Sequence, residues 1–161
     1  MNLRPRAELL CFKVDHVFCR FGDWVIFPGG GIDPGESAFA AARREMAEEA
    51  DRMVNALTVA HMPTMQTWPA DYAKKAKWSN GYAGGLTHWI TGQLGGVVHA
   101  DPKNRHADYE EGFAFFPIHD VKAKLHAELG GSWDSDVRVR LTILHAHEQA
   151  LKTAGLRMEG I

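Results

Sequence analysis

Apolar residues along the first part of the chain come in short runs, Leu9-Leu10-Cys11-Phe12, Val17-Phe18-Cys19 and Trp24-Val25-Ile26-Phe27. Runs of this length, broken at Asp15-His16 and stopped at Pro28-Gly29-Gly30-Gly31, predict a hairpin, a third strand and then a glycine loop. A turn centred on Asp15 sets Cys11 opposite Cys19, where buried free thiols are expected rather than a disulfide. Ser37 follows a turn-like Asp33-Pro34-Gly35, and alanines and charges then alternate at helical spacing to about Met53.

Residues 54–65 read as another strand, and residues 67–82 as a long polar and aromatic loop, of the kind that often carries function. Residues 86–94 and 112–117 are strand-like, and residues 118–129 fit a helix. A closing amphipathic helix runs from about 136 to 153, with Val137, Leu141, Leu144 and Leu151 along one side. There is no internal repeat, low-complexity tract or linker, so the expectation is one mixed α+β domain over residues 1–161.

Composition narrows the classes. The chain has 161 residues, 18 Lys+Arg against 20 Asp+Glu, and a net charge of −2. That balance excludes general attraction to nucleic acid or anionic membrane as the main activity. With 45% hydrophobic and 24% charged residues, the chain is not of the disordered class. No apolar run approaches the roughly 20 residues of a spanning helix, and the stretch after Arg4-Pro5-Arg6 is too short for a secretory leader. Two cysteines do not make a disulfide scaffold. A soluble, cytoplasmic protein is expected.

Chemistry concentrates in residues 30–52, a glycine-rich loop followed by a helix with clustered acids. At about 100° per residue, Glu45, Glu48 and Glu49 share one sector. Phe39, Ala42, Met46, Ala50 and Met53 occupy the adjacent one, which can pack while the other presents carboxylates. Like charges at i,i+3 and i,i+4 repel, and hard oxygen ligands at this density suit Mg²⁺ or Mn²⁺. The competing reading is a solvated acidic helix. The nine histidines show no metal-ligand spacing, so zinc is not expected.

Spacing decides between the two readings. Gly30, five residues, Glu36, seven residues and then Arg44-Glu45-Met46-Ala47-Glu48-Glu49 resembles the signature of the Nudix hydrolase superfamily. The signature covers 23 of the 161 residues. One position departs from it, since Asp51 stands where the family usually has a glycine that ends the helix. The resemblance implies a mixed β-sheet sandwiched between α-helices. It implies a pyrophosphohydrolase that cleaves a nucleoside di- or triphosphate, or another nucleoside diphosphate derivative, by water attack on phosphorus.

By the same resemblance, Glu45, Glu48 and Glu49 would be metal-binding carboxylates, with Glu48 and Glu49 innermost and Glu45 assisting or relaying a proton. Arg44 would hold and aim a glutamate of the cluster. Glu36 would tie loop to helix and reach the metal through water, and the Gly30 backbone would complete the site. A base is drawn from this helix or from Asp108, Glu110 and Glu111, ahead of Phe113-Ala114-Phe115-Phe116-Pro117. Glu110 and Glu111 are favoured, and spacing does not choose between them.

Substrate contacts are expected in the 67–82 loop. Trp68, Tyr72 or Trp78 would stack on a base, while Lys74, Lys75 or Lys77 would meet phosphate. Lys103, Arg105 and His106 form a second basic group. The expected partner is a small nucleotide, with an RNA 5′ end less favoured; a homodimer fits the resemblance, and a membrane does not. The alternative is a catalytically weak nucleotide-sensing or protein-interaction domain of the same fold, against which the intact acids argue. Isoprenoid diphosphate isomerisation would want a cysteine near the site, and Cys11 and Cys19 lie in the first hairpin.

Overall fold

In the computed structural model of this chain, residues 2–71 and 81–155 are described. Strand β1 (Leu3–Lys13) turns through Val14 and Asp15 into β2 (His16–Phe21). Lys13 pairs with His16 and Phe12 with Val17, so the loop has two residues, and Val14 takes φ 50°. The turn therefore centres between Val14 and Asp15, not on Asp15. That register sets Cys11 against Phe18 and Leu10 against Cys19, on opposite faces of the sheet. Both thiols are free and buried, and desolvation pushes them up to about 11 for Cys11 and about 12 for Cys19.

Strand β3 (Val25–Ile26) pairs with β2 and stops before Pro28. The expected glycine loop is instead a short strand, β4 (Gly29–Gly31), antiparallel to β1 with Ala7 opposite Gly30. Helix α1 (Ala38–Ala50) starts where Ser37 Oγ accepts the N–H of Ala40 at 3.0 Å. It ends three residues before the expected Met53. Asp51 takes a left-handed conformation, φ 54°, and donates its N–H to the Met46 carbonyl. Met53 thus leaves the helix and lies exposed at the start of β5 (Arg52–Thr67).

Strand β5 runs antiparallel to β6 (Gly84–Val97), and β6 runs parallel to β1. Strand β7 (Phe113–Pro117) pairs with β2 and leads into α2 (Ile118–Glu128) and α3 (Asp134–Thr153). The sheet order is β3-β2-β1-β6-β5, with β4 added on β1 and β7 on β2.

Leu9, Leu10 and Cys11 are all buried because both faces of the sheet are covered. Leu9 and Cys11 meet Ala41, Ala42, Met46 and Ala50 of α1. Leu10 and Trp89 meet Ile118, Val121 and Leu125 of α2 and Val137, Ile143 and Leu144 of α3. The small alanines bring α1 close to the sheet, so its remaining sector opens toward β4. The architecture is α+β, a mixed sheet between helices. Among the described residues, no helix is long and apolar enough to cross a membrane.

Candidate functional site

The site begins at Arg44, on the sector of α1 beside β4. Its Nε and Nη2 donate to the two oxygens of Glu36, both at 2.9 Å, a two-pronged grip suited to a planar guanidinium. Nη2 also donates to the Gly31 carbonyl at 2.8 Å, while Nη1 donates to Glu45 Oε1 at 2.9 Å and Glu48 Oε2 at 3.4 Å. One side chain thus ties the loop carboxylate, strand β4 and two helix carboxylates together. This grip holds Glu36 down at about 2.

Glu45 and Glu49 point into the angle between α1 and β4. Their carboxyl groups hydrogen-bond to each other, and the N–H of Gly29 donates to Glu49 Oε1 at 3.3 Å. Burial first, then its bond to Glu45 and the charges of Glu45 and Glu110, push Glu49 far above the usual carboxylate range. A Cβ on Gly30 would stand 2.5 Å from Glu45 Oε1, so any larger residue there would push the Glu45 carboxylate from its present position. Carboxylates crowded until one must keep a proton form a donor set that a hard divalent cation satisfies, by replacing the proton and neutralising the remaining charge. The residues present fit such an ion.

The segment after β6 closes over the C-terminal end of α1. Asp51, 2% exposed, meets His99 Nδ1 at 2.6 Å and Arg105 Nε at 3.8 Å, while its carbonyl accepts the N–H of Val98 at 2.9 Å. The residue that replaces the usual glycine therefore uses its side chain to anchor this segment. Further on, the Glu110 N–H donates to the Glu49 carbonyl at 2.9 Å, and Arg20 donates to the Glu110 carboxylate. Glu110 lines the hollow beside Glu45 and Glu49; Glu111 faces a different recess, beside Phe21, Gly22 and Trp24.

Glu48, His106 and Asp108 bring a ligand atom each to within 4.8 Å of one another, and His106 Nδ1 lies 3.6 Å from Asp108 Oδ2. Sequence reasoning placed His106 with the basic residues. The signal that pairs it with Asp108 is an imidazole and a carboxylate two positions apart in one loop.

A hollow of about 620 Å³ lies over the carboxylates, bounded by Arg4, Arg6, Gly30, Glu45, Glu49 and Glu110. A second, of about 550 Å³, shares Arg6, Gly29, Glu49 and Glu110 with it and extends to Trp24, Phe27, Trp133, Glu8, Asp136 and Arg140. Sequence reasoning missed Arg6, Arg20, Glu8, Asp136 and Arg140; Arg140 and Glu8 pair across 132 positions, and no local pattern announces such a pair.

Trp68 is buried, with its indole beside Gly85, and does not border either hollow. Arg105 engages Asp51 and stands 4.2 Å over the Tyr109 ring. Tyr72, Lys74, Lys75, Lys77 and Trp78 lie outside the described residues.

A family model described as NUDIX domain matches residues 13–135. Among solved structures, the chain is similar to a NUDIX hydrolase from Nitrosomonas europaea, at 21% identity over 89% of each chain and a TM-score of 0.58. It is similar to an ADP compounds hydrolase at 21% identity, over 94% of this chain and 75% of that one, with a TM-score of 0.50. It is also similar to a mutator MutT protein from Bacillus halodurans at 14% identity, over 76% of this chain and 73% of that one, with a TM-score of 0.54. Comparison with curated proteins returned no match.

Proposed function

The chain belongs to the NUDIX family, and on that premise we propose that it is a Mg²⁺- or Mn²⁺-dependent pyrophosphohydrolase of nucleoside di- or triphosphates or related nucleoside diphosphate derivatives. The observation that carries this reading is the crowding of Glu45 and Glu49 under Gly30, with Glu48 alongside and Arg44 aiming the group. Such an array costs stability unless a cation sits in it.

Glu48 and Glu49 would hold the cation, Glu45 would complete the carboxylate set, the β4 backbone would offer a carbonyl, and Glu36 stands behind Arg44, steadying it. When bound, a divalent ion neutralises charge on the phosphate oxygens and makes a coordinated water more acidic. Arg4 and Arg6, on the sheet side of the hollow, face the anionic substrate. Glu110 takes the proton of the attacking water as the new P–O bond forms and the anhydride P–O bond breaks. Arg20 holds the Glu110 carboxylate against the hollow.

The test is phosphate release with Mg²⁺ across nucleoside di- and triphosphates, dinucleoside polyphosphates, nucleotide sugars and capped RNA. At least one substrate is expected to turn over. Glu48→Gln and Glu49→Gln are each expected to lower turnover by about a hundredfold or more. Undiminished release from both variants would overturn the assignment of the carboxylates.

A further inference from the structure

The segment that carries His106, Asp108 and Glu110 leaves β6 at Val97 and reaches β7 at Phe113 without burying a side chain. Of residues 98–112, only His99, Arg105 and Tyr109 are half-buried, and the 3-10 turn at Pro102–Asn104 has no buried residue. Hydrophobic packing therefore does not fix where this segment lies.

Its polar contacts converge on one residue of the helix end instead. The Asp51 carbonyl accepts the N–H of Val98 at 2.9 Å. The buried Asp51 carboxylate meets His99 Nδ1 at 2.6 Å, accepts the His99 N–H at 3.4 Å, and lies 3.8 Å from Arg105 Nε, which is itself buried. Arg105 in turn stands 4.2 Å over the Tyr109 ring. The three half-buried residues of the segment are thus the ones that Asp51 gathers, two directly and the third through Arg105. The residue after Tyr109 is Glu110, whose N–H reaches the Glu49 carbonyl.

Glycine would end α1 at φ 54° with less strain, but it has no side chain with which to hold the segment. A strained aspartate that spends its carboxylate on this segment points to a functional return for the strain. One backbone hydrogen bond at Glu49 does not offset the entropy of ordering so long a stretch of exposed chain. We propose that Asp51 is a positioning residue for the reaction. Through His99, Arg105 and Tyr109 its carboxylate keeps the segment folded on the C-terminal end of α1, and so holds Glu110 over the hollow beside Glu45 and Glu49. Asp51 itself borders neither hollow. The inference rests on reading Glu110 as the group that takes the proton of the attacking water.

Amide hydrogen exchange of the full chain is compared among the unmodified protein, Asp51→Gly and Asp51→Asn. The same proteins are assayed for kcat and KM on the substrate turned over fastest in the phosphate-release screen. Asp51→Gly, which suits the left-handed backbone, is expected to speed exchange over residues 98–110 by about tenfold or more, with α1 unchanged. It is expected to lower kcat about tenfold and to move KM by less than about threefold, since Arg4 and Arg6 meet the substrate from β1. Asp51→Asn tolerates the same backbone and keeps an acceptor for His99, so it should fall between the two. In a Glu110→Gln background, Asp51→Gly should cost less than about a further twofold in kcat, because the group it positions is already gone. Exchange unchanged in Asp51→Gly, an unchanged kcat, or losses that multiply in the double variant would overturn the proposal. A protein that hydrolyses nothing defeats the hydrolase reading, and exchange alone then decides whether Asp51 holds the segment. One that hydrolyses diphosphates equally well with Asp51→Gly defeats this inference alone.

Discussion

The backbone N–H of Glu110 donates to the carbonyl oxygen of Glu49 over 2.9 Å. Through this bond, the segment between β6 and β7 is hooked onto the last turn of α1, and the Glu110 side chain is delivered to the hollow over Glu45 and Glu49. Its neighbour Glu111 points to a separate recess. Glu110→Gln is accordingly expected to lower kcat by about ten- to a hundredfold, and Glu111→Gln to change it by less than about twofold. Phosphate release at saturating substrate checks this, and equal effects would remove Glu110 from the mechanism.

Thermal unfolding should register the cation directly. A ligand at a hundred times its Kd adds about 2.7 kcal/mol, so Mg²⁺ or Mn²⁺ is expected to raise Tm. Glu49→Gln should abolish that rise while leaving the metal-free protein at least as stable, because the repulsion between Glu45 and Glu49 is gone. His106→Ala should weaken the response to Mn²⁺ more than the response to Mg²⁺, since imidazole suits the softer ion.

Asp51 combines a left-handed backbone with a buried carboxylate that meets His99 Nδ1 and Arg105 Nε. Replacing it by alanine is expected to destabilise the protein by about 2–4 kcal/mol, through backbone strain and the stranded His99 and Arg105. Glycine relieves the strain alone and should be milder by about 1 kcal/mol. Urea unfolding separates the two, and an equal loss would show that the backbone conformation contributes nothing.

The Arg44–Glu36 grip should show in the acid limb of stability. Glu36 is held at about 2, below its ordinary 4.5. Its contribution is therefore complete above about pH 4.5 and is lost as pH falls through 2. The stability gap between the unmodified protein and Glu36→Gln should narrow across that window. A gap that stays constant with pH would contradict it.

Asp136 runs the other way. Burial first and the charge of Glu8 second push it up to about 6 from 3.8. The cost of ionising it is absent below about pH 3.8 and grows as pH rises through 6. Beyond any pH-independent offset from the amide, Asp136→Asn should gain on the unmodified protein by about 2 kcal/mol between pH 4 and 7.5. Urea unfolding at the two pH values reads the difference, and a gain of the opposite sign would refute it.

Helix α1 was legible because everything that makes it is local. Ser37 caps a turn three residues on, and the positions of Arg44, Glu45, Glu48 and Glu49 follow from the helical repeat. The same locality made the family recognisable from residues 30–52. Periodicity carried the helix on to about Met53, and only the resemblance marked position 51 as its end. Asp51 adopts a conformation usually left to glycine because His99 and Arg105, some fifty positions away, hold its carboxylate.

A half-residue displacement of the first turn reversed the relation of Cys11 to Cys19, because strand side chains alternate faces and sequence does not set the register to that accuracy. Trp68 illustrates a related limit. An aromatic residue in a polar stretch looks like a stacking surface, yet its burial beside Gly85 depends on the pairing of β5 with β6.

By itself, then, the sequence determined the acidic helix, its glycine partner and the family, since each rests on contacts closed within a few residues or on fixed spacing. Tertiary structure brought Glu110 rather than Glu111 to the hollow beside that helix, through one backbone hydrogen bond at Glu49, and set Asp108 near Glu48. It also decided that Glu8, Asp136 and Arg140, drawn from opposite ends of the chain, share a hollow beside the carboxylates. Those choices depend on how distant segments close on one another, and no periodicity along the chain carries that information.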